Sequence, residues 1–158
     1  MKIIENFESS FDIEKLKKMD KQKTKVFKYI TYKKRTEQEV RQKFREDSGE
    51  MLDDVIEELK ELNYINDENY IQRAVNEFKN LKNMSIKEIQ YKLMTKGLKK
   101  DIIDNYICNN KEELLEYEIQ SAKNIAIKKQ NSLEREEIIA YLAKKGYLSE
   151  TIKIALEE

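Results

Sequence analysis

Apolar residues return at helical spacing along most of the chain. Leu52, Val55, Ile56, Leu59 and Leu62 occupy the i, i+3, i+4, i+7 positions of one stripe, with Asp53, Asp54, Glu57, Glu58 and Glu61 outward, which predicts a helix from about Glu50 to Asn63. Ile71, Ala74, Val75, Phe78 and Leu81 give the next helix its buried side. Leu115, Ile119, Ala122 and Ala126, with Leu114, Tyr117 and Ile125 beside them, predict a long helix from Glu112 to about Lys129. Val26, Tyr29 and Ile30 mark a helix from Lys21 that ends in Lys33-Lys34-Arg35, where the helix dipole favours cations. Ahead of it, residues 1–20 carry Phe7, Phe11, Ile13, Leu16 and Met19 and read as a short lead-in helix, with Asp12 as its cap.

The polar punctuation repeats. Ser85 and Glu88 spell a capping box, in which the serine hydroxyl accepts from the N–H of Glu88 and the glutamate reaches back to the N–H of Ser85. Gly97 then stands where a left-handed residue ends a helix without a Cβ penalty, with Leu98 folding back over the last turn. Upstream the same grammar gives Thr36, Glu39, Val40, Phe44 and Gly49, with Asp47-Ser48-Gly49 breaking the helix. Downstream it gives Glu134, Glu137, Ile138, Leu142 and Gly146. Glu39, Glu88 and Glu137 are 49 residues apart, as are Val40, Ile89 and Ile138, and Tyr29, Phe78 and Ile127. A fixed period shared by unrelated residue types is the mark of a repeat protein. The predicted fold is therefore all-α: three tandem three-helix units of period 49 in an elongated array. A lead-in over 1–20 precedes repeats at 21–65, 66–109 and 110–158. Asn63 is the stop before the second unit, Asn66 or Asp67 its cap, and Asn109-Asn110 the seam before the third, where Gln130-Asn131-Ser132 makes a further turn.

Composition agrees with a stack more than with one round core, because 39% of residues are charged and only 39% apolar. Lys+Arg and Asp+Glu both number 31, so no net field draws the whole molecule to nucleic acid or anionic lipid. The signs are unevenly spread: residues 1–35 hold eleven basic and five acidic side chains, residues 36–70 four and twelve, residues 71–110 eight and four. That alternation suits a partner bearing both signs, such as protein and nucleic acid together. One cysteine and no histidine exclude a disulfide within the chain and leave a zinc site only carboxylates. Cys108 reads as inert packing. The start of the chain has no secretory pattern and no apolar run is long enough to span a membrane, so a cytoplasmic, non-membrane protein is expected.

Chemistry is sparse. Without histidine, Ser–His and Cys–His nucleophiles are excluded, no glycine-rich phosphate loop exists, and the carboxylate pairs lie on an outward helix face. The expectation is a binding protein with no catalytic residue, no cofactor and no metal. A binder of a grooved polymer would distribute cations along successive repeats. The candidates are Lys33, Lys34, Arg35 and Arg41 in the first unit, Lys92, Lys96, Lys99 and Lys100 in the second, and Lys144 and Lys145 in the third, with Tyr32 and Tyr91 able to stack at an interface and Tyr29 and Tyr64 read as core.

Three strings add a resemblance. Tyr32-Lys-Lys-Arg35-Thr36-Glu-Gln-Glu39-Val40-Arg41, Leu59-Lys-Glu-Leu62-Asn-Tyr64-Ile65-Asn66-Asp67-Glu68-Asn-Tyr70 and Leu93-Met-Thr-Lys96-Gly97-Leu98 closely resemble the RecX family of RecA regulators, over roughly residues 22–156. Lys145-Gly146-Tyr147 is similar to the family's third-repeat turn, usually Arg-Gly-Phe. The resemblance implies a curved array of three-helix repeats in the groove of the RecA–DNA filament, acting mostly as an inhibitor of ATP hydrolysis, recombinase activity and strand exchange in DNA repair and the SOS response. It implies RecA on DNA as partner, with at most weak DNA contact by the protein itself and a monomeric state. A helical-repeat adaptor for another protein and a direct DNA-binding protein are the alternatives. Two departures stand out: residues 1–20 are too short for the β-rich segment that many relatives carry, and Glu134 replaces the cap, which places the start of that helix nearer Ser132.

Overall fold

A single helix, α1 (Lys2–Tyr32), covers both the expected lead-in and the first repeat helix. Nothing in it breaks the backbone, since the stretch has neither proline nor glycine, and Asp12 lies inside it and caps nothing. The structure is a computed structural model that describes the backbone of residues 2–46 and 49–157 and side chains from residue 12 onward, residue 50 excepted. The expected contributions of Phe7 and Phe11, and of Asp47 and Ser48 to a helix break, lie outside the described residues.

Two compact units are described, 1–66 and 67–158. In the first, α1 is followed by α2 (Glu37–Lys43) and α3 (Gly49–Glu61). Thr36 caps α2 with both bonds of the capping box: the Glu39 N–H donates to Thr36 Oγ1 at 3.1 Å and the Thr36 N–H to Glu39 Oε1 at 3.4 Å. The helix ends at Lys43, before the expected break, and Gly49 opens α3 without a left-handed φ. Val26, Ile30, Val40, Leu52, Val55, Ile56, Leu59 and Ile65 form the core, with Tyr29 and Phe44 edge to face against each other beside it. Leu62 departs from its predicted stripe and is 54% exposed, because α3 stops one residue earlier. Asn63 takes the left-handed stop at φ 66°, and the Tyr64 N–H closes the turn on the Leu59 carbonyl at 2.8 Å. Tyr64, read as core, is instead exposed and meets Phe27 edge to face.

The second unit contains α4 (Asp67–Leu81), α5 (Ile86–Thr95), α6 (Lys100–Asn109), α7 (Lys111–Lys129), α8 (Arg135–Lys145) and α9 (Ser149–Leu156). All regular structure among the described residues is helical, as the sequence predicts. One cluster gathers Ile71, Val75, Met84, Ile89, Leu93 and Ile103 from α4 to α6, and Leu114 and Tyr117 from the first turns of α7. Another gathers Ala122, Ile125 and Ala126 from further along α7 with Ile138, Leu142, Tyr147, Ile152 and Ala155. The long helix therefore serves two cores. Leu81 and Ile127 are exposed, so Ile127 does not repeat the half-buried settings of Tyr29 and Phe78.

The chain enters α2, α5 and α8 with nearly one backbone geometry. Thr36 has φ −75° and ψ 160°, Ser85 −75° and 162°, Glu134 −71° and 159°. Glu134 keeps the register although its side chain makes no cap bond, so α8 starts at Arg135 and not near Ser132. Both glycine stops also match. Gly97 at φ 82° and Gly146 at φ 98° each sit in a Schellman turn, with Leu98 N–H on the Leu93 carbonyl at 3.4 Å and Tyr147 N–H on the Leu142 carbonyl at 3.1 Å.

Candidate protein and nucleic-acid interface

The ten candidate cations fall into two kinds. Arg35 stands over the ring of Tyr29 at 4.4 Å and pairs with Glu39 at 3.4 Å. Arg41 pairs with Glu37 at 3.1 Å and with Asp53, whose hydrogen bond raises its pKa against the opposing effect of burial. Lys145 donates to the Asn83 carbonyl at 3.0 Å and lies 3.7 Å from Glu88. These three hold neighbouring elements of the protein to one another. Lys92 stacks over Phe78 at 5.5 Å, as Lys43 does over Tyr29 at 5.9 Å, an aromatic contact that recurs after 49 residues.

Lys33, Lys34, Lys99, Lys100 and Lys144 are exposed and make no ion pair among the described residues. Lys96 is half-buried and engaged within the protein. In the second unit the candidates do not form one patch. Lys99 and Lys100 follow the C-terminus of α5, whereas Lys145 lies against its N-terminal turn, about 15 Å away along a ten-residue helix. Tyr32 and Tyr91 are 88% and 69% exposed, open to a stacking partner. Cys108 is exposed on α6, which overturns its reading as packing.

Sequence reasoning missed the polar seam at the start of α5. Ser85 caps that helix and donates its hydroxyl to the Lys145 carbonyl at 2.8 Å, tying the helix to the end of α8. Tyr117 and Ser121 of α7 both donate to the Met84 carbonyl at 3.0 Å, and Ser121 lies 2.6 Å from the Tyr147 hydroxyl. Glu118, fully buried, accepts from the Ile86 N–H at 3.2 Å and from Thr151 at 2.9 Å, linking α5, α7 and α9. Burial raises its pKa, while those two hydrogen bonds act in the other direction. Burial also raises the pKa of Tyr117 and Tyr147. The carboxylate and hydroxyls are consumed in mutual support and present no nucleophile. No cluster of potential metal ligands and no helix long and apolar enough to cross a membrane occurs among the described residues.

The chain is similar to two relatives described as regulatory protein RecX. That of Clostridium beijerinckii is 37% identical over 131 residues, covering 76% of this chain and 58% of the relative. That of Finegoldia magna is 32% identical over 137 residues, covering 79% and 65%. The chain thus spans less than two thirds of either relative's own length. No family model matches. A crystal structure of RecX from Lactobacillus salivarius shares the fold with a TM-score of 0.74 at 23% identity, over 88% of this chain and 94% of that one. A second, of a regulatory protein RecX, aligns at 0.76 and 23% identity over 89% and 73%.

Proposed function

Because the chain belongs to the RecX family, we propose that it regulates RecA by binding, lying in the groove of the RecA–DNA filament and lowering its ATPase and strand-exchange activities during DNA repair and the SOS response. The observation that carries this reading is the set of exposed, unpaired lysines at helix ends: Lys33 and Lys34 after α1, Lys99 and Lys100 at the start of α6, Lys144 at the end of α8. A filament groove offers phosphates and carboxylates together, and separate cations suit it better than one dense patch. Three hydrophobic clusters and three matching helix entries support three repeats, at 21–65, 66–109 and 110–158, with Leu114 and Tyr117 of the third packing into the cluster of the second. The protein works as a cytoplasmic monomer without cofactor or catalysis of its own.

The test is DNA-dependent ATP hydrolysis by RecA with the protein added below one copy per RecA monomer. Inhibition is expected, and an unchanged rate overturns the reading. Lys99→Glu with Lys100→Glu should weaken filament binding about tenfold or more while leaving the circular dichroism spectrum intact, as expected for two phosphate contacts. A second reading, direct contact with single-stranded DNA, is favoured by Tyr32, which stands exposed beside Lys33 and Lys34. Strong, steeply salt-dependent DNA affinity without RecA would put that reading first.

A further inference from the structure

A groove of about 370 Å³ opens beside the buried seam of the second unit. Its walls are apolar: Ile86 from α5, Ile107 from α6, Leu114 and Leu115 from α7, and Leu148 at the entry to α9. Leu148 is 55% exposed, and Ile86, Ile107 and Leu115 are only partly covered, so the groove leaves apolar surface facing water. Glu118 also borders it, but it is fully buried, with its carboxylate oxygens accepting from the Ile86 N–H and the Thr151 hydroxyl.

The exposed charged residues that line the groove are both basic. Lys87 and Lys111 line the groove from α5 and α7, both exposed and neither in an ion pair among the described residues. Each stands in the first turn of its helix, where the dipole disfavours a cation, so neither helix gains from its lysine. Lys87 lies across the turn at Gly146: its Cβ and Cδ are 3.0 and 3.1 Å from where a side chain there would begin, so glycine leaves it room. An apolar trough lined by two unpaired lysines complements a ligand that joins an apolar side chain to anionic neighbours.

We propose that this groove docks a short acidic segment of a partner protein, burying one large apolar side chain against Ile107, Leu115 and Leu148 and setting carboxylates against Lys87 and Lys111. Such docking is separate from the filament contacts proposed for Lys99 and Lys100, and it holds whether or not the partner is RecA. A basic or uncharged segment of the same shape is discriminated against by the rim.

The experiment uses the full chain and two fluorescein-labelled peptides, one with a phenylalanine-leucine pair between glutamates and one with lysines in place of the glutamates, read by fluorescence anisotropy. The acidic peptide should bind about tenfold or more tighter than the basic one, since two attractive pairs become two repulsive ones. Lys87→Glu with Lys111→Glu should invert that preference. Leu148→Ser, an exposed position, should weaken the acidic peptide with unchanged helicity. Equal binding of the two peptides, no binding at millimolar protein, or indifference to Leu148→Ser overturns the proposal. So does concentration-dependent self-association that Leu148→Ser abolishes in ultracentrifugation, which would make a second copy the occupant.

Discussion

At the start of α5 a buried serine closes a capping box and grips the end of α8, while its neighbours Met84 and Ile86 bond to side chains of α7; at the start of α8 an exposed glutamate holds almost the same φ and ψ with no side-chain cap bond. The backbone geometry of a helix entry is therefore set by the packing that follows it, Ile89 and Leu93 in one case and Ile138 and Leu142 in the other. The cap becomes indispensable only where the entry is shut off from water, because there an unsatisfied N–H has no solvent to turn to. α8 begins in water, which satisfies those groups.

The most damaging change should be Gly146→Val. It puts a β-branched residue at φ 98° and drives a Cβ into Lys87 and Ser85, separating the end of α8 from the start of α5. Urea denaturation should show a loss of about 3 kcal/mol. Ser85→Ala should cost about 1–2 kcal/mol, since it removes a cap and the bond to the Lys145 carbonyl, whereas Glu134→Ala should stay within about 0.5 kcal/mol. Equal costs at the two positions would erase the contrast between them. Glu134→Ser tests it from the other side: Glu137 already stands three residues on, so a capping box becomes available and stability should rise by about 0.5–1 kcal/mol.

A subtler effect concerns pH. The raised pKa of Glu118 means that the folded protein holds a proton that the unfolded chain has released, so stability declines as pH rises from the ordinary carboxylate value to the folded one. Glu118→Gln should flatten that part of the pH–stability curve. A variant curve parallel to that of the parent would show that the seam does not penalise the charge.

Much of the fold was legible because its signals are local. Thr36 and Ser85 announce themselves by a glutamate three residues on, and Gly97, Gly146 and Asn63 by their place after an apolar stripe. The lead-in was misjudged because Asp12 has a cap's chemistry but no packing reason to break α1. Leu62 and Leu81 kept the apolar spacing yet fell at helix ends, where the stripe no longer faces a neighbour. The interface was less readable, because its character depends on partners distant in sequence. Arg41 answers to Asp53, Lys145 to Asn83, and Glu118 to Ile86 and Thr151, and no spacing along the chain records those meetings. Lys87 and Lys111 did leave a trace: cations in the opening turn of a helix run against the dipole and invite a question about their purpose.

The Met84 carbonyl, which accepts two hydrogen bonds, ties a local turn to a distant part of the chain. It accepts from both hydroxyls of α7, so the linker between α4 and α5 completes its hydrogen bonding only once a helix more than thirty residues downstream is in place. During synthesis that linker emerges first, and water serves its Met84 carbonyl until the α7 hydroxyls arrive.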